Sequence, residues 1–152
     1  MIKTKRQYVV VPFKSVGNLK FGMTQEDVEG IMGKPNETID DKIMGEVRES
    51  RNDFILIYIR KKLVEVRFSD KLNLEEIEIV LGSINLFDCP NVVDTLLNYP
   101  NSKPSKKVKG YINFYGLGIN LGGFGKTKLK DSREMRIFAK GRIKYFELYL
   151  TA

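Results

Sequence analysis

The sequence has no histidine, no tryptophan and one cysteine in 152 residues. Without histidine it lacks the side chain that ordinarily titrates near neutral pH, and the commonest neutral metal ligand. Ser-His-Asp and Cys-His arrangements are therefore excluded. One cysteine and no histidine do not support a zinc site either. Cys89 cannot form an internal disulfide, which favours a reducing compartment. No apolar run approaches the roughly 20 residues that cross a bilayer. Residues Met1 to Val11 carry basic groups and then a short apolar run. They lack the longer apolar segment and small-residue cleavage site of a secretory signal. Tyr8 to Val11 reads instead as a strand that ends at Pro12. These absences lead us to expect a cytoplasmic, non-enzymatic protein with no cofactor, no metal and no membrane partner.

Enough apolar sequence is present for a real core: hydrophobic residues make up 42% and charged residues 30%, the balance of a folded chain. Two stretches share one pattern. The first runs from Asn18 through Gly22-Met23-Thr24 to Gly33-Lys34-Pro35, and the second from Ser83 to Asn98-Tyr99-Pro100. With Pro35 set over Pro100, Val28 falls on Val93, Ile31 on Leu96 and Met32 on Leu97. That is the spacing of one helix face. Thr24 is a good N-cap with Asp27 three residues on, and Gly33 and Pro35 end the helix. In the second copy Pro90 suits the first turn, with Asp88 or Cys89 near the cap.

Each half also closes on what reads as a hairpin. Phe54–Ile59 turns at Arg60-Lys61-Lys62 into Leu63–Phe68, and Met135–Ala139 turns at Lys140-Gly141-Arg142 into Ile143–Leu148. Leu63, Glu65 and Arg67 alternate against Val64, Val66 and Phe68. Gly45 to Arg51 and Gly110 to Gly123 read as further strands. The expected fold is α+β, built from two repeated units over residues 1–75 and 76–152, the second with an insertion near residues 101–125. Each unit packs short helices on an antiparallel meander. The helices cover one face, the other stays open, and the two sheets can join into one continuous concave surface.

Two other patterns bear on chemistry. Asp40, Asp41, Glu46, Glu49 and Asp53 form a loose acidic group whose spacing matches no calcium loop. It reads as a solvated loop and a charged strand face. Gly125-Lys126-Thr127 has the ending of a phosphate loop, but the position that requires the opening glycine holds Asn120. The glycines from Gly116 to Gly125 read as bends or a bulge in a strand, followed by a lysine-rich loop.

Charge is distributed unevenly. From Lys103 to Lys144 there are twelve Lys or Arg and two acidic residues, Asp131 and Glu134, within a net charge of +7. Loops of this kind attract an acidic partner if the fold gathers them. Projecting tyrosines would add rigid contact area. The candidate partner-binding residues are Lys106, Lys107, Tyr111, Tyr115, Lys126, Lys128 and Tyr145. The partner is expected to be a cognate protein with an acidic surface. Nucleic acid is the alternative, bound by an adaptor through the same basic half with aromatics to stack on bases.

Gly22-Met23-Thr24, Asp27-Val28, Gly33 and Pro35 resemble the helix region of the β-lactamase-inhibitor-like and outer-membrane-assembly lipoprotein (SmpA/OmlA) families. Asp27-Val28 stands where Glu-Val is usual. The resemblance covers about seventeen residues and implies helices packed on an antiparallel sheet, in tandem, with a concave face that grips a protein. The chain departs from the inhibitors in lacking a cysteine pair, and from the lipoproteins in lacking a lipidation cysteine near residue 1. Small proteins of this kind are also similar to bacterial immunity proteins, which neutralise a toxin domain by forming a 1:1 complex.

Overall fold

A computed structural model describes residues 5–73, 75–89, 91–124 and 133–151, with side chains in the last stretch described as far as residue 148. The order is β1 (Arg6–Val11), β2 (Ser15–Val16), β3 (Leu19–Lys20), α1 (Gln25–Met32), β4 (Glu37–Asp41), β5 (Glu46–Ser50), β6 (Ile55–Ile59), β7 (Lys62–Ser69), β8 (Ile77–Leu81), β9 (Ile84–Asn85), α2 (Val92–Leu97), β10 (Tyr111–Phe114), β11 (Ile119–Gly122), β12 (Glu134–Phe138) and α3 (Ile143–Thr151). The class is α+β. Seven antiparallel strands form one sheet in the order β10-β11-β12-β7-β6-β5-β4, and five short ones form a second in the order β3-β2-β1-β8-β9. The second sheet is mixed, because β1 and β8 run parallel with Tyr8 beside Ile79. Among the described residues no helix is long and apolar enough to cross a membrane.

Helix α1 starts as its sequence dictates. Thr24 Oγ1 accepts from the Asp27 amide at 3.1 Å, and Asp27 Oδ2 accepts from the Thr24 amide at 3.0 Å, which satisfies two otherwise unpaired donors of the first turn. Gly33 ends the helix at φ 78°, a conformation that suits glycine. Val28 is buried, whereas Ile31 is exposed. In α2 it is Val92 and Leu96 that are buried and Leu97 that is exposed. Of the expected helix faces, Val28, Met32, Val93 and Leu96 pack on the core, and Ile31 and Leu97 turn away from it. The α2 cap is Asn91, without a side-chain cap bond, and not Asp88 or Cys89. Pro90 lies outside the described residues.

The main core lies between one face of the seven-stranded sheet and the smaller sheet with α1 and α2. Leu56, Val66, Phe68, Leu121, Met135 and Ile137 share one cluster with Val10, Val28, Ile79, Leu81 and Leu96. Tyr8, Phe54 and Phe68 meet at ring centroid distances of 5.3 to 6.1 Å and tie β1 to β7 and to the residue before β6. The alternation expected along β7 is broken once. Tyr58 pairs with Leu63 and Ile57 with Glu65, so Val64 is a bulge. The extra residue turns Leu63 to the core face beside Val66 and Phe68 and leaves Glu65 and Arg67 on the opposite face.

Residues 143–148 overturn the second hairpin. They form helix α3, not a returning strand. The reason lies in the sheet: β12 is hydrogen-bonded to β11 on one side and to β7 on the other. It offers no edge to a hairpin partner. Released from the sheet, the segment buries Ile143 and packs Phe146 against Phe138 and Tyr111 at 5.9 and 5.5 Å, a helical spacing. Helix α3 thereby covers part of the sheet face that was expected to stay open.

Candidate functional site

Beneath and beside α3, the outer face of the seven-stranded sheet carries charge where a sheet interior is usually apolar. β7 presents Glu65 and Arg67, β5 presents Glu46 and Arg48, and β12 presents Arg136, which stands opposite Arg67. With α3 and its preceding turn these strands enclose a groove of about 570 Å3, walled by Arg48, Arg67, Arg136 and Arg142, by Asp41, Glu46 and Glu65, and by Met44, Tyr145, Phe146 and Leu148.

Glu65 organises the floor. Its side chain is 2% exposed, and its Oε2 accepts from Arg67 Nη2 at 3.0 Å. Arg136 Nε stands 3.7 Å from Oε2 and Arg142 Nε 3.5 Å from Oε1. The guanidinium groups around it offset part of the cost of burying a carboxylate. The Arg136 guanidinium also lies 4.4 Å from the Phe146 ring centroid and 5.5 Å from that of Tyr111, a cation–π arrangement that fixes α3 on the sheet. The rim is apolar and open: Met44, Tyr145 and Leu148 are 56%, 65% and 65% exposed.

The residues singled out by sequence lie in three places. Lys106, Tyr111 and Tyr115 line one hollow of about 260 Å3 together with Glu147. Lys107 lines a different one, of about 400 Å3, with Cys89, Phe124 and Arg133. Tyr145 belongs to the groove. Lys126 and Lys128 lie outside the described residues. Tyr111 is half-buried and donates to Glu134 at 3.0 Å, and burial followed by that carboxylate raises its pKa. Burial, then the contact with Glu147, likewise raises Tyr115. Within the basic stretch Arg133 is fully engaged: it makes two bonds to the Asp70 carboxylate and one to the Phe87 carbonyl, and lies over Phe87 and Phe124.

The acidic group read as a solvated loop and strand face is partly internal. Glu49 and Asp53 are buried. Glu49 accepts from Tyr58 and Arg51, and burial is the largest cause raising the Tyr58 pKa, followed by the Glu49 charge. Asp53 accepts from Arg6, Tyr8 and Asn73. Among the described residues, no group of three or more Cys, Asp or Glu side chains is placed to hold a metal ion. Gly122 sits opposite Tyr111 across β10 and β11, with the ring lying over it. Its small size serves that close approach, not a bend.

The sequence reading missed Arg48, Glu65, Arg67, Arg136 and Arg142. The available signal was charge at alternate positions in strands otherwise rich in Ile, Val and Phe. No local pattern shows that three separate strands and the turn before α3 bring these charges together.

No family model matches the chain, and no curated protein matches it. A cysteine-rich secretory protein from Staphylococcus aureus has a structure similar to it at 15% identity and a TM-score of 0.47, over 97% of this chain and 53% of that one. The chain thus spans about half the length of that protein.

Proposed function

We propose that this protein is a non-enzymatic binding module that captures another protein in a 1:1 complex, as an immunity or inhibitor protein captures a toxin domain or an enzyme. The docking surface is the α3 groove. One observation carries this reading: Met44, Tyr145 and Leu148 stay largely exposed around a wall of ordered arginines. Exposed apolar side chains at the edge of a preformed groove provide the contact area of a protein interface, and arginine held by neighbours binds at little cost in side-chain freedom. In this reading residues 1–75 and 76–152 are two related units, α1 with β4–β7 and α2 with β10–β12. Their strands together form the surface that grips the partner.

The test is capture of partners from native lysate, with and without nuclease, by wild-type protein and by a Tyr145→Asp, Leu148→Asp variant. A stoichiometric protein that survives nuclease and is lost with the variant supports the reading. Recovery that disappears with nuclease and falls steeply with salt replaces it with nucleic-acid binding. A charge reversal at Lys106 and Lys107 in the same assay reports whether the neighbouring hollow contributes.

A further inference from the structure

The two edges of the seven-stranded sheet are finished differently. At the β10 edge the preceding segment folds back along the strand. Pro104 and Val108 bridge to Phe114 and Tyr111, Ser105 N donates to Asn113 O at 2.7 Å, and Tyr115 N donates to Lys103 O at 3.1 Å. At the other edge β4 pairs with β5 alone, from Glu37 opposite Ser50 to Asp41 opposite Glu46, with no shift of register. Among the described residues no backbone bond reaches its far side. Four of its five residues are exposed and the last is half-buried. An open edge of this kind is a template for another strand, and proteins commonly blunt it with lysine, proline, a bulge or a covering segment. Glu37-Thr38-Ile39-Asp40-Asp41 has none of these.

The side chains of β4 select what can pair with it. Asp41 is already held: it accepts from the Ile43 and Met44 amides and pairs with Arg48 at 3.6 Å. Glu37 and Asp40 make no hydrogen bond or ion pair through their side chains among the described residues, and Lys42 follows in the turn, past the end of the strand. Ile39 stands opposite Arg48, so Ile39 and Glu37 lie on the groove face and Asp40 on the other. Ile39 is 42% exposed. A second copy of the chain fits poorly: antiparallel pairing of two β4 strands about Ile39 sets Glu37 against Asp41, like charges across a ladder. A strand with an apolar residue beside Ile39 and a basic one beside Glu37 and Asp40 is complementary.

We infer that β4 receives an extended, basic segment of the partner protein, which adds to the sheet as a further strand with an apolar side chain beside Ile39. Main-chain bonds to the open edge hold the segment, and its alternate side chains give specificity. The inference rests on the docking reading above and names the partner element that docks beside the groove. The test is an NMR titration of the full chain with acetyl-Thr-Lys-Val-Thr-Lys-amide, whose lysines face Glu37 and Asp40 when it runs antiparallel to β4. It is expected to shift the outward-facing amides of β4. The same peptide with glutamate for both lysines is expected to bind about tenfold more weakly. A fully N-methylated form of the basic peptide, which cannot donate to the edge, is expected not to bind. Glu37→Lys, Asp40→Lys, both at exposed positions, should reverse the preference between the two charged peptides and leave the other amide signals in place. Binding of the N-methylated form as tight as that of its parent overturns strand addition, and equal binding of the basic and acidic peptides overturns the basic segment. Signals of β4 that move with protein concentration and not with peptide assign the edge to a second copy and overturn the inference, as does an unmoved β4. Docking at the groove is decided separately, by whether Tyr145→Asp, Leu148→Asp abolishes partner capture.

Discussion

Arg142 Nη2 donates to Glu46 Oε1 at 2.7 Å, linking residues 96 apart in the chain and joining the turn before α3 to the first residue of β5. The same guanidinium faces Glu65 through Nε and lies 5.9 Å from the Tyr145 ring centroid. Helix α3 is thus anchored at its start by charge and further along by Phe146. Arg142→Gln should lower stability by about 2 kcal/mol, since a charged partner of two largely buried carboxylates is lost. It should also speed hydrogen exchange of the α3 amides more than those of β7. Equal protection of α3 in both proteins would show that Phe146 and Ile143 hold the helix alone.

Glu65 sits under three arginines, and Glu65→Gln leaves them facing a neutral acceptor. The expected loss is about 3–5 kcal/mol, read from the urea midpoint at an unchanged slope. A loss under about 1 kcal/mol would mean that water satisfies these guanidinium groups.

Asp53 gives the fold a defined acid sensitivity. Burial alone would raise its pKa, but the bonds from Arg6, Tyr8 and Asn73 and the Arg6 charge outweigh that, and the net shift is downward. A pKa depressed in the folded state contributes stability that is complete above the ordinary aspartate range, about 3.9, and is lost as pH falls through the folded value. Asp53→Asn should therefore be less stable than wild type at pH 7 by about 2–3 kcal/mol. The gap should narrow steadily as pH falls below about 4. Parallel stability curves across that window would show that the pair does not titrate on unfolding.

The β6–β7 turn places Arg60 and Lys61 at φ 50° and 67°, a left-handed pair that asparagine and glycine adopt more readily. Lys61→Gly should stabilise the protein by about 0.5–1 kcal/mol, the relief of strain exceeding the added flexibility of the unfolded chain. Thermal melting checks the sign directly.

Gly116 has ordinary φ but no room. A β-carbon there would collide with the Asn101 backbone carbonyl. Gly116→Ala should cost about 1–3 kcal/mol or more through displacement of the 101–103 segment, and denaturant unfolding would register it. A neutral result would show that this segment yields freely.

Local chemistry settled those elements whose cause lies within a few residues of themselves. The capping box of Thr24 and Asp27, the stop at Gly33, the strand before Pro12 and the β6–β7 hairpin all follow from nearest-neighbour physics, as does the α+β class. Tertiary structure decided the rest. Ile143 to Leu148 alternates plausibly as a strand and has a workable helical face, and it is helical because β12 already has partners on both edges. Leu63 changed faces because one bulged residue at Val64 shifts the two-residue period. Ile77-Glu78-Ile79-Val80-Leu81 shows its strand pattern openly, yet its parallel partner β1 lies far back in the chain. The arginine groove was hidden for the same reason: Glu46, Glu65, Arg136 and Arg142 are each unremarkable in their own segments. Strand order and register, which are long-range pairings that no local pattern encodes, bring their charges to one face.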